Sequence, residues 1–207
     1  PTHAPTHAPT GAPTLAPTPA PTLAPTSLPT ATPAPTVAPL IADDSTIRTA
    51  VSLWFSDRAA AIRTYGHIST WETGGVTDMS ELFCGASWEV ACNSAAASFN
   101  EDIGAWDTSG VTTMYWMFNG ASSFNQDLSG WSVHNVREMT WMFYGASAFN
   151  QDLSGWAVQS VTDMYQMFGG ASAFDQDLGW CVGNDVNLGE AFDGSGCCST
   201  SCGVAQK

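Results

Sequence analysis

The sequence predicts an α/β repeat solenoid of short parallel strands and short helices. A helical cap precedes it, a disulfide-rich cap follows it, and a disordered Pro/Thr stalk leads into the whole. Three observations carry this expectation. A 25-residue unit recurs over 100–174, reading NEDIGAWDTSGVTTMYWMFNGASSF, NQDLSGWSVHNVREMTWMFYGASAF and NQDLSGWAVQSVTDMYQMFGGASAF. Apolar residues hold fixed columns in it: Phe99, Phe124, Phe149 and Phe174; Trp106, Trp131 and Trp156; Met114, Met139 and Met164; Phe118, Phe143 and Phe168. The six cysteines all fall outside the three regular units. A period of this length marks a solenoid, whose units bury their apolar faces only against their neighbours.

Residues 1–40 form the stalk. All twelve prolines lie at or before Pro39, in PTHA, PTLA and PTSL tetrapeptides without a charged side chain. Such a segment buries too little apolar surface to offset the entropy of ordering, and dense proline favours extended polyproline II. The regular threonines suit a mucin-like O-glycosylated stalk as well as an unmodified linker.

Residues 43–69 read as the helical cap. Ile47, Ala50, Val51, Trp54 and Phe55 share one helical face. Asp44 or Ser45 is the expected N-cap, and a second short helix is expected from Ser56 to Gly66. The solenoid is expected over 70–195. In its first unit Trp71, Val76, Met79, Leu82 and Phe83 match Trp106, Val111, Met114, Met117 and Phe118. Ten extra residues, 88–97, then intervene before the phase resumes, so they must loop out from one edge. Within a unit, Val136, Met139, Met142 and Phe143 have helical spacing, and Phe149 to Ser154 alternates like a short strand. The last unit is degenerate, with Trp180 one residue early. Residues 196–207 form the Cys-rich cap and tail.

Charge narrows the function. Between positions 70 and 206, sixteen Asp or Glu stand against a single Arg, Arg137. Phosphate binding needs a basic surface, which argues against nucleic acid and against anionic membranes. Cys84, Cys92, Cys181, Cys197, Cys198 and Cys202 are disulfide candidates in an oxidising compartment, with Cys84 and Cys92 pinning the base of the insertion. The CC-x3-C pattern lacks the paired motif and histidines of a zinc site. No apolar run is long enough to span a membrane. No secretory signal is present and the chain starts at Pro1, so a mature form or a fragment is expected.

The unit FNQDLSGW…V.DM..MF.GASAF closely resembles that of the BspA-like leucine-rich-repeat surface proteins. The string QSVTDMYQMFGGASAFDQDLGW at 159–180 is nearly their common unit, and the match covers about 70 to 195. The resemblance implies an extracellular or surface-attached solenoid of leucine-rich-repeat type with a role in adhesion or protein binding. It carries no catalytic residues. The insertion at 88–97, and Arg137–Glu138 in place of Thr-Asp, depart from the common unit.

Three sets of residues stand out against that frame. Asp102, Asp127, Asp152 and Asp177 recur along the repeat. Stacked, they would bridge calcium, with Ser129, Ser154, Asn125 and Asn150 assisting, take a cationic protein partner, or accept backbone N–H bonds in their own turns. Asn100, Asn125 and Asn150, continued by Asp175, read as an internal ladder satisfying backbone groups. Trp116, Trp141 and Tyr144 vary between units and are the candidate binding residues, because exposed aromatics stack on sugars or anchor proteins. No catalytic residues are expected: His67 and His134 stand apart from any nucleophile motif. The expected function is a non-catalytic, monomeric recognition or adhesion module, secreted or at a cell surface or wall. It takes protein or glycan on the solenoid faces and needs no cofactor unless calcium. The alternative is a structural or calcium-stabilised spacer without a specific ligand.

Overall fold

A computed structural model describes residues 38–89, 92–197 and 202–207. The Pro/Thr stalk up to position 37, and Cys198, lie outside them. Leu40, where the stalk was expected to end, is already tied in: its N–H donates to Tyr65 and its carbonyl accepts from Glu72.

Two helices open the described chain. Strand β1 (Ile41–Asp43) runs directly into α1 (Asp44–Ser56), and α2 (Arg58–Tyr65) follows. The N-cap of α1 is Asp43, one residue before the expected position. Its carboxylate accepts from the Ser45 and Thr46 amides, and Thr46 Oγ1 accepts from the Asp43 N–H in a capping box. Asp44 is thereby free to reach the first repeat, where it accepts from the Thr77 amide at 2.6 Å, the Thr77 hydroxyl and the Asp78 amide. Ile47, Ala50, Val51 and Trp54 are buried, as their spacing predicts. Strand β2 (Glu72–Gly75), which had no clear sequence signal, pairs in parallel with β1.

The repeating units lie side by side. Asp78, Thr113, Glu138, Asp163 and Asn187 form one row of parallel bridges. The strand-like contact therefore falls in the V-x-x-M segment, not at Phe149 to Ser154, which makes no bridge among the described residues. Nor does the expected short helix form: among the described residues, none lies between 99 and 197. A helix sends each N–H to the carbonyl four residues back. Here alternate N–H groups leave the unit instead. Met114, Trp116, Phe118 and Gly120 donate to the carbonyls of Glu138, Thr140, Met142 and Tyr144 in the next unit at 2.7–3.1 Å. The groups that follow Trp116, Phe118 and Gly120, on Met117, Asn119 and Ala121, donate three residues back and close a run of β-turns. Two of these turns carry positive φ at their third position, 56° at Trp116 and 70° at Gly120. Gly120 is required there twice over, since a Cβ would meet the Ala86 amide nitrogen at 2.7 Å.

The core is two columns of stacked phenylalanines. Phe83, Phe118, Phe143, Phe168 and Phe192 follow one another at 5.4–5.5 Å between ring centroids. Phe99, Phe124, Phe149 and Phe174 do so at 5.8–6.0 Å, and within each unit the two columns meet at about 4.1 Å. Tryptophans flank them. The Trp106, Trp131, Trp156 and Trp180 indole N–H groups donate to the Ile68, Ile103, Leu128 and Leu153 carbonyls at 2.9–3.1 Å, so each ring satisfies its one polar atom in the preceding coil. Trp180, one residue early in sequence, keeps this bond. Helix α1 closes the near end, where Phe55 meets Phe83 and Phe99 edge-on. At the far end β3 (Cys181–Val182) pairs in parallel with β4 (Ala205–Gln206). Disulfides join Cys84 to Cys92 and Cys197 to Cys202. Cys181, expected to pair, is exposed and has no disulfide partner among the described residues, which do not include Cys198.

Candidate functional site

The backbone that stacks the units also lines up the outer side chains. Three residues after the bridge row stand Glu81, Trp116, Trp141, Gln166 and Glu190, all with φ between 49° and 62°. Positive φ is unfavourable for a side chain as bulky as tryptophan, by roughly 1–2 kcal/mol. Here a hydrogen-bonded neighbour on either side imposes it.

Of the sequence-predicted residues, Trp116 and Trp141 stand in this row and Tyr144 packs beside it, all three half-buried. Trp116 and Trp141 stack at 4.9 Å with 1° between their planes, and Trp141 stacks on Tyr144 at 4.9 Å. Two rings that sequence reasoning missed extend the stack. Tyr115 lies on Trp116 at 5.3 Å, and Trp88 meets Tyr144 edge-on at 6.1 Å. Trp88 is 59% exposed and belongs to the insertion, within the stretch that the Cys84–Cys92 bond closes. Tyr144 lies where a Cβ on Gly169 would come within 2.8 Å of its ring, so the bare glycine makes its seat. Signals for both rings were present: Tyr115 neighbours a candidate, and Trp88 is a large apolar residue in an irregular loop.

Carboxylates border the ledge. Glu81 precedes Trp116 in the row, Glu138 sits in the bridge row beside it, and Glu190 ends it, accepting from Gln166 Nε2. Burial pushes the Tyr115 hydroxyl above its usual pKa, and the charges of Glu81, Glu138 and Glu89 push the same way. Arg48, the cation on α1, is committed to Asp78 at 3.0 Å and to the Ser80 and Asp78 carbonyls. Asn119, in the same coil as Trp116, is fully buried, and among the described residues its side-chain amide has no hydrogen-bond partner.

The aspartate ladder is a different arrangement. Asp102, Asp127 and Asp152 each accept the amide two residues on, at Gly104, Ser129 and Ser154. Hydrogen bonds from the Ser129 and Ser154 amides and hydroxyls hold the Asp127 and Asp152 carboxyls below their usual range. Asp177 stands against Gly203 in the terminal segment. Among the described residues, no three His, Cys, Asp or Glu side chains gather as a metal site. The asparagine ladder, expected to be internal, is exposed, and each side-chain oxygen accepts the amide of its counterpart one unit on, at 2.9–3.0 Å from Asn100 through Asn125 and Asn150 to Asp175. Among the described residues, no helix is long and apolar enough to cross a membrane.

Residues 49–181 match the family described as "Mycoplasma protein of unknown function, DUF285". The match spans most of the chain, and the protein belongs to that family. Neither the curated proteins nor the solved structures contain a match to it.

Proposed function

We propose that this chain is a non-catalytic recognition module of a secreted or cell-surface protein, an α/β solenoid of the BspA-like leucine-rich-repeat type that binds its ligand on the aromatic ledge. One observation carries the reading: two tryptophans occupy a strained backbone position where their rings are half-exposed and do not build the core. Strained residues concentrate at working sites. Aromatics held rigid at a surface give contact area at small entropic cost, as in binding hot spots. Two disulfides agree with an oxidising compartment.

The test screens the full chain and its Trp116→Gly/Trp141→Gly variant against glycan and surface-protein arrays. Glycine suits the positive φ, so the variant keeps its backbone. Binders retained by the wild type and lost by the variant support the reading. An array with no ledge-dependent binder would favour the spacer alternative, which the self-satisfied aspartate and asparagine ladders also suit.

A further inference from the structure

The ledge has a chemical character that narrows its partner. Its central rings are stacked face to face, Trp116 on Trp141 and each on a tyrosine, so their broad faces are largely taken by one another. A sugar stacks on an open aromatic face. What this ledge offers instead is a strip of ring edges bordered by carboxylates, Glu81 and Glu190 at the ends of the row and Glu138 alongside. The complement of such a strip is an apolar stem with a cationic head, which is the form of an arginine or lysine side chain.

One arginine of the molecule already sits between an aromatic ring, there over its open face, and a carboxylate. The Arg58 guanidinium lies 4.6 Å over the Trp54 ring while pairing with Glu101 at 2.7 Å. At the ledge the aromatic and acidic components recur. Arg137 is the only Arg or Lys between positions 70 and 206, and it forms no ion pair among the described residues. The sixteen acids of that stretch would steer a basic partner toward the repeats.

We propose that the ledge docks a basic segment of a partner protein, with an arginine or lysine stem along Trp116 and Trp141 and its cationic head paired with Glu81 and Glu138. The proposal rests on the recognition reading above and names the partner chemistry for the same site. Trp88 then serves as a flank, placed by the insertion and held by the Cys84–Cys92 bond.

The test measures fluorescence anisotropy of labelled Gly-Arg and Gly-Lys repeat peptides with the full chain, with neutral oligosaccharides run in parallel. Far-UV circular dichroism melts accompany every variant. The Gly-Arg peptide should bind the wild type and weaken at least about tenfold in Trp116→Gly/Trp141→Gly and in Glu81→Gln/Glu138→Gln. Asp127→Asn/Asp152→Asn removes the same formal charge elsewhere and should leave binding within about twofold. Equal weakening by both charge pairs, or undiminished binding to the tryptophan variant, would mean general attraction to an acidic protein and overturn the proposal. Ledge-dependent binding of an oligosaccharide without ledge-dependent binding of either peptide would overturn the cationic partner but leave the recognition reading standing. No ledge-dependent binding of any probe would count against both.

Discussion

Trp141 and Phe143 stand two residues apart in one unit, and each stacks on its counterpart in the unit before, at 4.9 Å and 5.4 Å. Phe143 is fully buried, and its column is phenylalanine in every unit. Trp141 is half-exposed, and its column reads Glu81, Trp116, Trp141, Gln166, Glu190. The same backbone ladder aligns both columns, so alignment alone says nothing of purpose. The difference is what the column faces. Inside, every unit must present the same volume to its neighbours, because the interior is close-packed. Outside, the register is imposed but the side chain is free to vary.

The comparison breaks most visibly under truncation. Phe143→Ala opens a cavity between two stacked rings and should destabilise by about 3–5 kcal/mol. Trp141→Gly loses partly solvated ring surface but relieves a positive φ, so the two effects offset and the change should stay within about 1 kcal/mol. Denaturant titration of the two variants checks this, and a loss at Trp141 as large as that at Phe143 would make the ledge part of the core.

Acid gives a smaller effect, felt where the helical cap meets the repeats. Burial favours the neutral form of the Asp44 carboxyl, but the Thr77 and Asp78 amides, the Thr77 hydroxyl and Arg48 outweigh it and lower its pKa. A carboxyl with a depressed folded pKa adds stability that is present above its ordinary value, about 4, and is lost as pH falls through the folded value. Asp43, held down mainly by the Thr46 amide and hydroxyl, behaves in the same sense. The melting temperature should therefore fall as pH drops below about 4, and Asp44→Asn should flatten that fall. An identical acid profile in the variant would show that the contact between Asp44 and Thr77 does not link cap to repeat in solution.

The smallest expected effect is none. Asp102, Asp127 and Asp152 each spend one carboxylate oxygen inside their own turn. Removing divalent ions with a calcium-specific chelator should leave the melting temperature unchanged, and a drop of several degrees would restore calcium as a structural ion.

Several features were legible in the residues themselves. The spacing of Ile47, Ala50, Val51 and Trp54 marked the buried face of α1, and Cys84 and Cys92 flanked a loop whose base they close. The conformation of the unit was not legible. Val136, Met139, Met142 and Phe143 do point inward, yet their three- and four-residue spacing serves a run of turns as well as it serves a helix. Periodicity reports which side chains face the core and is blind to where the N–H groups go. The binding candidates show the same division. Trp116, Trp141 and Tyr144 could be singled out because they vary between units, but Trp88 lies 56 positions before Tyr144 and only folding brings them together.

By itself, then, the sequence determined the period, the identity of the core columns and the places where the period fails, since these follow from local spacing and the need to bury apolar surface. Tertiary structure alone decided that alternate N–H groups bond between units, that tryptophans take positive φ, and that five aromatic rings and their bordering carboxylates share one surface. Each of those depends on residues about 25 positions apart or more in the chain, and a contact at that range is fixed by the stacking of whole units, not by any segment read alone.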